Sequence, residues 1–263
     1  MSNTSSSDKP VPAGIYFDHV TLAYRHQVVL KDIQGHINAG CMVAIVGSNG
    51  CGKSTLMKTM AGLMRPVRGC IKNYFKKEKI AYLAQINTID STFPITVFDF
   101  VACGLWQFAG AFKAIGQDQI ETIHSALDAV GMRAYENALI GELSGGQFQR
   151  IRFARLALQD ADLFLLDEPF AAVDEHTITD LMCLLHYWHE QGKTVVVVLH
   201  DMALVSKQFP QCIVLGKCQV LGWGATEQYL PLYQTSPILL NTEHQLPSSP
   251  HTVMNTTVQE QTP

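Results

Sequence analysis

The sequence GSNGCGKST at residues 47–55 decides the fold of this chain. A short apolar run at 41–46 precedes it, and residues 53–63 after it have helical apolar spacing. Glycines between a strand and a helix let successive backbone N–H groups point at phosphate oxygens, and the helix N-terminus adds partial positive charge. We therefore predict a phosphate-binding loop of the Walker A pattern. Its residues are Gly47, Ser48, Asn49, Gly50, Cys51, Gly52, Lys53, Ser54 and Thr55.

A pair of carboxylates after a second buried run completes this pattern. Residues 163–166 are all apolar, and Asp167 and Glu168 follow them directly. The motif predicts that Lys53 contacts the β- and γ-phosphates, whereas Ser54 and Asp167 hold Mg²⁺. Glu168 is placed to orient and polarise the attacking water. An Asp-Glu pair alone is often only a helix start, but together with the upstream loop it predicts nucleotide hydrolysis.

Two further side chains follow strand-like runs and should reach the same sheet edge. His200 comes after residues 195–199 and could hydrogen-bond a γ-phosphate. Gln85 comes just after residues 80–83 and can supply an amide to the metal ion and the water. We therefore expect Glu168, His200, Gln85 and Lys53 to act as the catalytic group.

A second anion-binding device lies far downstream, in the sequence LSGGQ at 143–147. A serine and two glycines that open a helix again present backbone N–H groups to an anion. Because one nucleotide has one γ-phosphate, we expect a head-to-tail homodimer related by a twofold axis. In it, one copy closes over the nucleotide of the other through Ser144, Gly145, Gly146 and Gln147.

The distribution of strands and helices predicts an α/β fold with a parallel sheet and crossover helices. Strand-like runs are sparse between Gln85 and the 143–147 motif, which indicates a helical subdomain at about 86–154. We expect a flexible leader at 1–13, one ATPase domain at 14–233 and a polar, flexible tail at 234–263.

Composition excludes several classes of function. The net charge of −4 gives no basic footprint for nucleic acid, and no run is long and apolar enough to span a membrane. The seven cysteines contain no CxxC pair, which favours reduced thiols in the cytosol. We expect no signal peptide, because the first twelve residues lack an apolar segment.

Taken in order, these motifs resemble the ATP-binding-cassette (ABC) ATPases over residues 15–225. The resemblance implies a P-loop NTPase (RecA-like) core with an antiparallel β part and a helical signature subdomain, acting on ATP with Mg²⁺. It also implies that Tyr24 stacks on adenine and that Asp174, at the end of the D-loop, acts on the other subunit's nucleotide. The D-loop has Ala171 where a serine is commoner, which removes one hydroxyl from the dimer interface.

Within that family, Phe93-Pro94-Ile95-Thr96-Val97 and the residues around the two later motifs resemble manganese- and zinc-importer ATPases, most nearly a zinc branch. The resemblance implies integral membrane permease subunits, an extracytoplasmic substrate-binding protein as an indirect partner, and a peripheral location on the cytoplasmic face of a bacterial inner membrane. We expect exposed Phe93 and Phe98 to line the groove for a permease helix.

Three alternatives stay open at this point. The chain could be a soluble ABC ATPase acting on DNA or ribosomes. Against this, the interval between Gln85 and the signature segment at 143–147 is short, and only one cassette is present. It could be a non-hydrolysing regulator, which Glu168 opposes, or an importer of another cargo such as a metal chelate. His186 and His189 have ligand-capable spacing, but ordinary packing is the favoured interpretation.

Overall fold

The computed structural model describes residues 13–25, 27–85, 93–106, 115–171 and 173–235. Within them, a six-stranded sheet has the order β5-β6-β7-β3-β8-β9 and is parallel except for the β8–β9 hairpin. Its strands are β3 Met42–Gly47, β5 Ile80–Leu83, β6 Leu163–Asp167, β7 Thr194–Val198, β8 Gln211–Gly216 and β9 Gln219–Ala225. Every residue of β3, β6 and β7 is buried, as expected for a parallel sheet covered on both faces.

A second sheet is antiparallel and has the order β2-β1-β4. It consists of β1 Gly14–Tyr24, β2 Gln27–Asn38 and β4 Arg68–Asn73. Phe17 of β1 packs edge-on against Trp223 of β9, with ring centroids 5.4 Å apart. Lys31 N donates to Cys218 O at 2.8 Å, so the two sheets are joined by both packing and hydrogen bonding.

The helices separate into two groups. Helix α1 follows β3, whereas the described residues between β5 and β6 form helices and short 3₁₀ turns, with one isolated bridge between Thr96 and Leu139. The helices are α1 Lys53–Met60, α2 Val97–Ala102, α3 Gln117–Ala129, α4 Gly145–Ala157, α5 Glu175–Glu190, α6 Met202–Gln208 and α7 Thr226–Thr235. None of the helices in the described ranges is long and apolar enough to cross a membrane.

The central sheet separates two apolar cores. Alternate residues of β3 point to opposite faces: Ala44 joins one core with the later helices, whereas Ile45 joins the other with α1 and the antiparallel sheet. An aromatic column crosses the first core. Trp188 of α5 stacks on Phe164 of β6 at 4.1 Å and on Phe153 of α4 at 6.2 Å.

The predicted α/β class with a P-loop core is therefore confirmed. The predicted run at 80–83 matches β5, and those at 41–46, 53–63, 163–166 and 195–199 correspond to β3, α1, β6 and β7 with ends shifted by a few residues. Strand β4 and helices α6 and α7 were not predicted. Residues 1–12 and 236–263 lie outside the described residues, so the predicted leader and nearly all of the predicted tail stay predictions.

Candidate nucleotide-binding and hydrolysis site

The loop between β3 and α1 has the backbone that the glycines predict. Gly50 has φ +76° and Gly52 φ +105°, a region that side chains disfavour. A Cβ on Gly52 would lie 2.9 Å from Leu30 Cγ, so this position also lacks space for a side chain. The loop therefore curls tightly against β2 before the helix begins.

Lys53 is the first residue of α1, and its ammonium group bridges the loop. Its Nζ donates to Gly47 O at 2.9 Å and to Ser48 O at 3.0 Å. Cys51 of the same loop has a different orientation: it is only 8% exposed, and its side chain belongs to the apolar core shared with α1. Any contact of Cys51 with a nucleotide would therefore involve its backbone rather than its thiol.

The loop forms one wall of a cleft of about 540 Å³. The cleft brings together side chains that lie far apart in sequence, at the carboxyl ends of three neighbouring strands. Its lining residues are Tyr24, Val29, Asn49, Gly50, Gly52, Lys53, Ser54, Thr55, Gln85, Glu168 and His200. Six of the nine predicted loop residues thus meet Gln85, Glu168, His200 and Tyr24 in one cavity, whereas Gly47, Ser48 and Cys51 do not line it.

Glu168 lies at the centre of a hydrogen-bonded triad. Its Oε2 accepts from Gln85 Nε2 at 2.6 Å, and its Oε1 lies 2.8 Å from His200 Nε2. Glu168 has φ +51°, the left-handed region, which costs a non-glycine residue free energy and is found mostly where function requires it. The fold thus fixes this carboxylate beside the phosphate-binding loop.

Asp167 is 2% exposed, and its two carboxylate oxygens have different surroundings. Oδ2 accepts from the Tyr82 hydroxyl at 3.4 Å, whereas Oδ1 is buried without a hydrogen-bond partner among the described residues. Burial raises the pKa of Asp167 above its ordinary value, the Glu168 charge adds to this, and the Ser54 hydroxyl partly offsets it. A buried carboxylate oxygen with no donor fits a divalent cation, so Asp167 and Ser54 suit Mg²⁺.

Tyr82 was not predicted as a site residue. It lies on β5, whose pairing with β6 places Tyr82 beside Leu165, two residues before Asp167. Burial raises the pKa of Tyr82 well above its ordinary value, so its hydroxyl keeps its proton at neutral pH and donates to Asp167. Only the strand order reveals this proximity, and nothing in the sequence around Tyr82 indicates it.

The signature residues lie at the N-terminus of α4, outside the lining of the cleft just described. Ser144 Oγ accepts from Gln147 N at 3.2 Å, and Gln147 Oε1 accepts from Ser144 N at 2.9 Å. This reciprocal pair is a capping box, which leaves Ser144 and Gly145 exposed at the helix terminus. The segment is thus rigid, accessible and separate from its own chain's phosphate loop.

Asp174 touches that same segment. Its Oδ1 accepts from Thr177 N at 2.9 Å and caps α5, and hydrogen bonding from Thr177 lowers its pKa. A Cβ on Gly146 would lie 3.1 Å from Asp174 Oδ2. Arg150 braces the contact, with a terminal guanidinium nitrogen 3.2 Å from Thr177 Oγ1. The two segments predicted to act on a partner's nucleotide are therefore adjacent in one chain.

Two predictions outside the cleft have different outcomes. Phe93 is 61% exposed, in agreement with its predicted place on a surface. Phe98 was predicted to be exposed as well, but its ring is half-buried against the core and packs edge-on to His124 at 5.7 Å. His186 hydrogen-bonds Gln208 at 2.8 Å, and no metal-binding cluster of three His, Cys, Asp or Glu occurs in the part of the chain that is described.

A glycine loop between a buried strand and a helix, with an Asp-Glu pair at the end of a nearby strand, defines the P-loop NTPases. The sequence profile of the ABC transporter family matches residues 30–171, and the chain belongs to that family. It is accordingly an ABC ATPase that binds ATP.

Several relatives have most of their length in common with this chain. It is 41% identical over 215 residues to the manganese transport system ATP-binding protein MntB of Listeria innocua, covering 80% of this chain and 89% of that protein. It is 39% identical to the zinc transport system ATP-binding protein TroB of Treponema pallidum, covering 82% and 85%. Among solved structures, an inward-facing transporter described as of the metal-chelate ABC type superposes with a TM-score of 0.74 at 27% identity, covering 83% of this chain and 85% of that one.

Proposed function

We propose that this chain is the ATP-hydrolysing subunit of a membrane transporter that imports a divalent metal cation, zinc before manganese. The observation that carries the ATPase part is the cleft in which the phosphate loop, Gln85, Glu168 and His200 meet. The cargo part is supported by the relatives, whose names specify manganese and zinc transport. These relatives also disfavour action on DNA or ribosomes.

The proposed chemistry follows from the positions of the side chains. Mg²⁺, when bound with ATP, neutralises phosphate charge, and Ser54, Asp167 and Gln85 are the residues that would hold it. Lys53 would exchange its two loop carbonyls for the β- and γ-phosphate oxygens. Glu168 takes a proton from the attacking water, and Tyr24, which is 46% exposed at the mouth of the cleft, stacks on adenine.

His200 and Gln85 contribute through Glu168. Both carboxylate oxygens are hydrogen-bonded in the structure, so a water molecule reaches the carboxylate when one of these partners turns to the γ-phosphate or the metal ion. His200 is half exposed and can make that turn. Gln85 borders residues 86–92, which connect it to the helical region, so its movement can report nucleotide occupancy to that region.

Completion of the site needs a second copy of the chain. Ser144, Gly145 and Asp174 are exposed, Gly146 and Gln147 are half-buried beside them, and none of the five lines its own chain's cleft. In a head-to-tail homodimer, these residues would place backbone N–H groups on the partner's γ-phosphate.

The membrane part of the transporter is a separate permease, to which this subunit binds on the cytoplasmic face of a bacterial inner membrane. An extracytoplasmic binding protein would deliver the metal to that permease. Phe93 supports a docking surface, because it is a large apolar side chain left mostly in solvent directly after the Gln85 segment. Zinc over manganese stays a prediction, because the metal never touches this subunit.

Replacement of the base tests the ATPase assignment. Glu168→Gln keeps shape and volume but removes the proton acceptor, so hydrolysis should fall by roughly a hundredfold or more. ATP binding should persist, and the variant should accumulate as an ATP-bound dimer in size-exclusion chromatography. Glu121→Gln, on an exposed turn of α3, is the matched control. Hydrolysis by Glu168→Gln at the wild-type rate would refute the assignment of the base.

Uptake measurements test the cargo and the docking surface. Vesicles that contain this chain bound to its permease should take up radioactive zinc, and more weakly manganese, when ATP is present. Phe93→Ala should reduce uptake severalfold and leave ATP binding intact, because it removes apolar docking area. Tyr187→Ala, exposed on α5, serves as the control. Uptake of neither metal would exclude the proposed cargo, and unchanged uptake by Phe93→Ala would exclude the docking surface.

A further inference from the structure

We infer that Tyr82 is a positioning residue for Mg²⁺: its hydroxyl holds one oxygen of the Asp167 carboxylate so that the other faces the cation. No sequence motif assigns a role to this tyrosine. The inference rests on the Mg²⁺ assignment in the proposed function and is independent of the transported cargo.

The sheet register places the two side chains on one face. Tyr82 pairs with Leu165 in the parallel β5–β6 ladder, and Asp167 lies two residues after Leu165. Side chains two residues apart on a strand share a face, and so do directly paired residues. This face is turned towards α1, because Leu165 and Leu56 of α1 belong to the same core. Ser54, another candidate Mg²⁺ ligand, is the second residue of that helix.

The contrast between the two Asp167 oxygens gives the hydroxyl its role. A free carboxylate can turn about its Cβ–Cγ bond, because this torsion has a broad energy minimum. The Tyr82 hydroxyl donates to Oδ2 at 3.4 Å, and Oδ1 has no donor among the described residues. A buried carboxylate oxygen without a partner costs free energy, so Oδ1 is an acceptor that a bound cation could satisfy. Asp167 is thus oriented before the metal arrives.

The size of the effect follows from the geometry. At 3.4 Å this contact is longer than is usual for a hydroxyl donor, so its contribution is smaller than that of a well-formed hydrogen bond to a charged group. Its loss should weaken Mg²⁺ binding roughly three- to tenfold. Tyr82 does not line the cleft, so nucleotide affinity without metal should stay unchanged.

The experiment measures binding rather than turnover. Wild-type protein, Tyr82→Phe and Tyr74→Phe are titrated with a fluorescent ATP analogue, first in EDTA and then at increasing Mg²⁺. Tyr74 is exposed and lies outside the cleft, so its variant controls for loss of a tyrosine hydroxyl. We expect Tyr82→Phe to match the wild type in EDTA and to need roughly three- to tenfold more Mg²⁺ for half of the metal-dependent signal.

Three results would overturn the inference. Equal Mg²⁺ midpoints for Tyr82→Phe and wild type would show that the hydroxyl does not orient Asp167. Equal weakening with and without metal, or a lower unfolding temperature together with such weakening, would assign Tyr82 a structural role instead. If the wild-type protein itself shows no Mg²⁺ dependence, the Mg²⁺ assignment fails and this inference fails with it.

Discussion

Ser144→Asp is the variant that best tests whether the signature segment acts on a partner's nucleotide. Aspartate caps a helix as well as serine does, so α4 should keep its first turn. The new charge, however, lies where the proposed dimer places the γ-phosphate. Two unit charges at about 4 Å repel by about 4 kcal/mol at the effective dielectric constant of a protein surface, which corresponds to a loss on the order of a thousandfold in the closed state.

The expected phenotype separates binding from hydrolysis. Because Ser144 does not line its own chain's cleft, ATP binding to the single chain should be unchanged in Ser144→Asp, whereas hydrolysis should be lost. Ser144→Asn is the matched control, since asparagine has nearly the same shape and caps equally well but carries no charge. Hydrolysis is measured by phosphate release at saturating ATP, and binding by the fluorescent analogue.

Complementation makes the test decisive. Lys53→Ala should also be inactive, because it removes from its own cleft the lysine proposed to contact the phosphates. In a mixed dimer, the intact loop of the Ser144→Asp chain faces the intact signature of the Lys53→Ala chain. About half of randomly paired dimers are mixed and each has one intact site, so an equal mixture should recover about a quarter of wild-type hydrolysis. A mixture as inactive as its components, or an active Ser144→Asp homodimer, would refute the reasoning.

Two further predictions concern the cleft. Tyr24→Ala should weaken ATP binding on the order of tenfold through loss of base stacking, and Tyr24→Trp should preserve binding; equal affinity of all three proteins would exclude the adenine contact. Gly47→Ala should lower the free energy of unfolding by about 1–3 kcal/mol, because a Cβ there would lie 2.6 Å from Cys51 Sγ and 2.7 Å from Leu215 O. Thermal unfolding measures this, with Gly116→Ala as a control that meets no atom within 4 Å, and an unchanged unfolding temperature for Gly47→Ala would contradict it.

Continuous apolar runs made the core of the fold predictable. Strands β6 and β7 are buried at every residue, which is the environment that their continuous apolar sequences predict. Strand β4 gives no such signal, because most of its residues are exposed and its place is decided by pairing with β1. Helix α7 contains Pro231, and because proline is disfavoured inside helices the sequence there does not indicate one.

The site was predictable to the extent that its residues belong to contiguous motifs. Gly47 to Thr55 and the Asp167-Glu168 pair carry their chemistry in their spacing. The contact of Tyr82 with Asp167 depends on β5 lying beside β6, and that of Gly146 with Asp174 depends on how α4 meets α5. Such proximities between distant segments come from tertiary packing, which the spacing of residues along the chain does not encode.

The aromatic column provides an intrinsic fluorescence probe of the packing between β6 and α4. Trp188 is 6% exposed and stacks between the strand that carries Asp167 and the helix that Ser144 begins. A change of a few tenths of an ångström between these two elements would alter the surroundings of the indole and hence its emission. With Trp106 and Trp223 replaced by phenylalanine, the remaining indole would follow in real time how nucleotide at one end of β6 displaces α4 at Phe153.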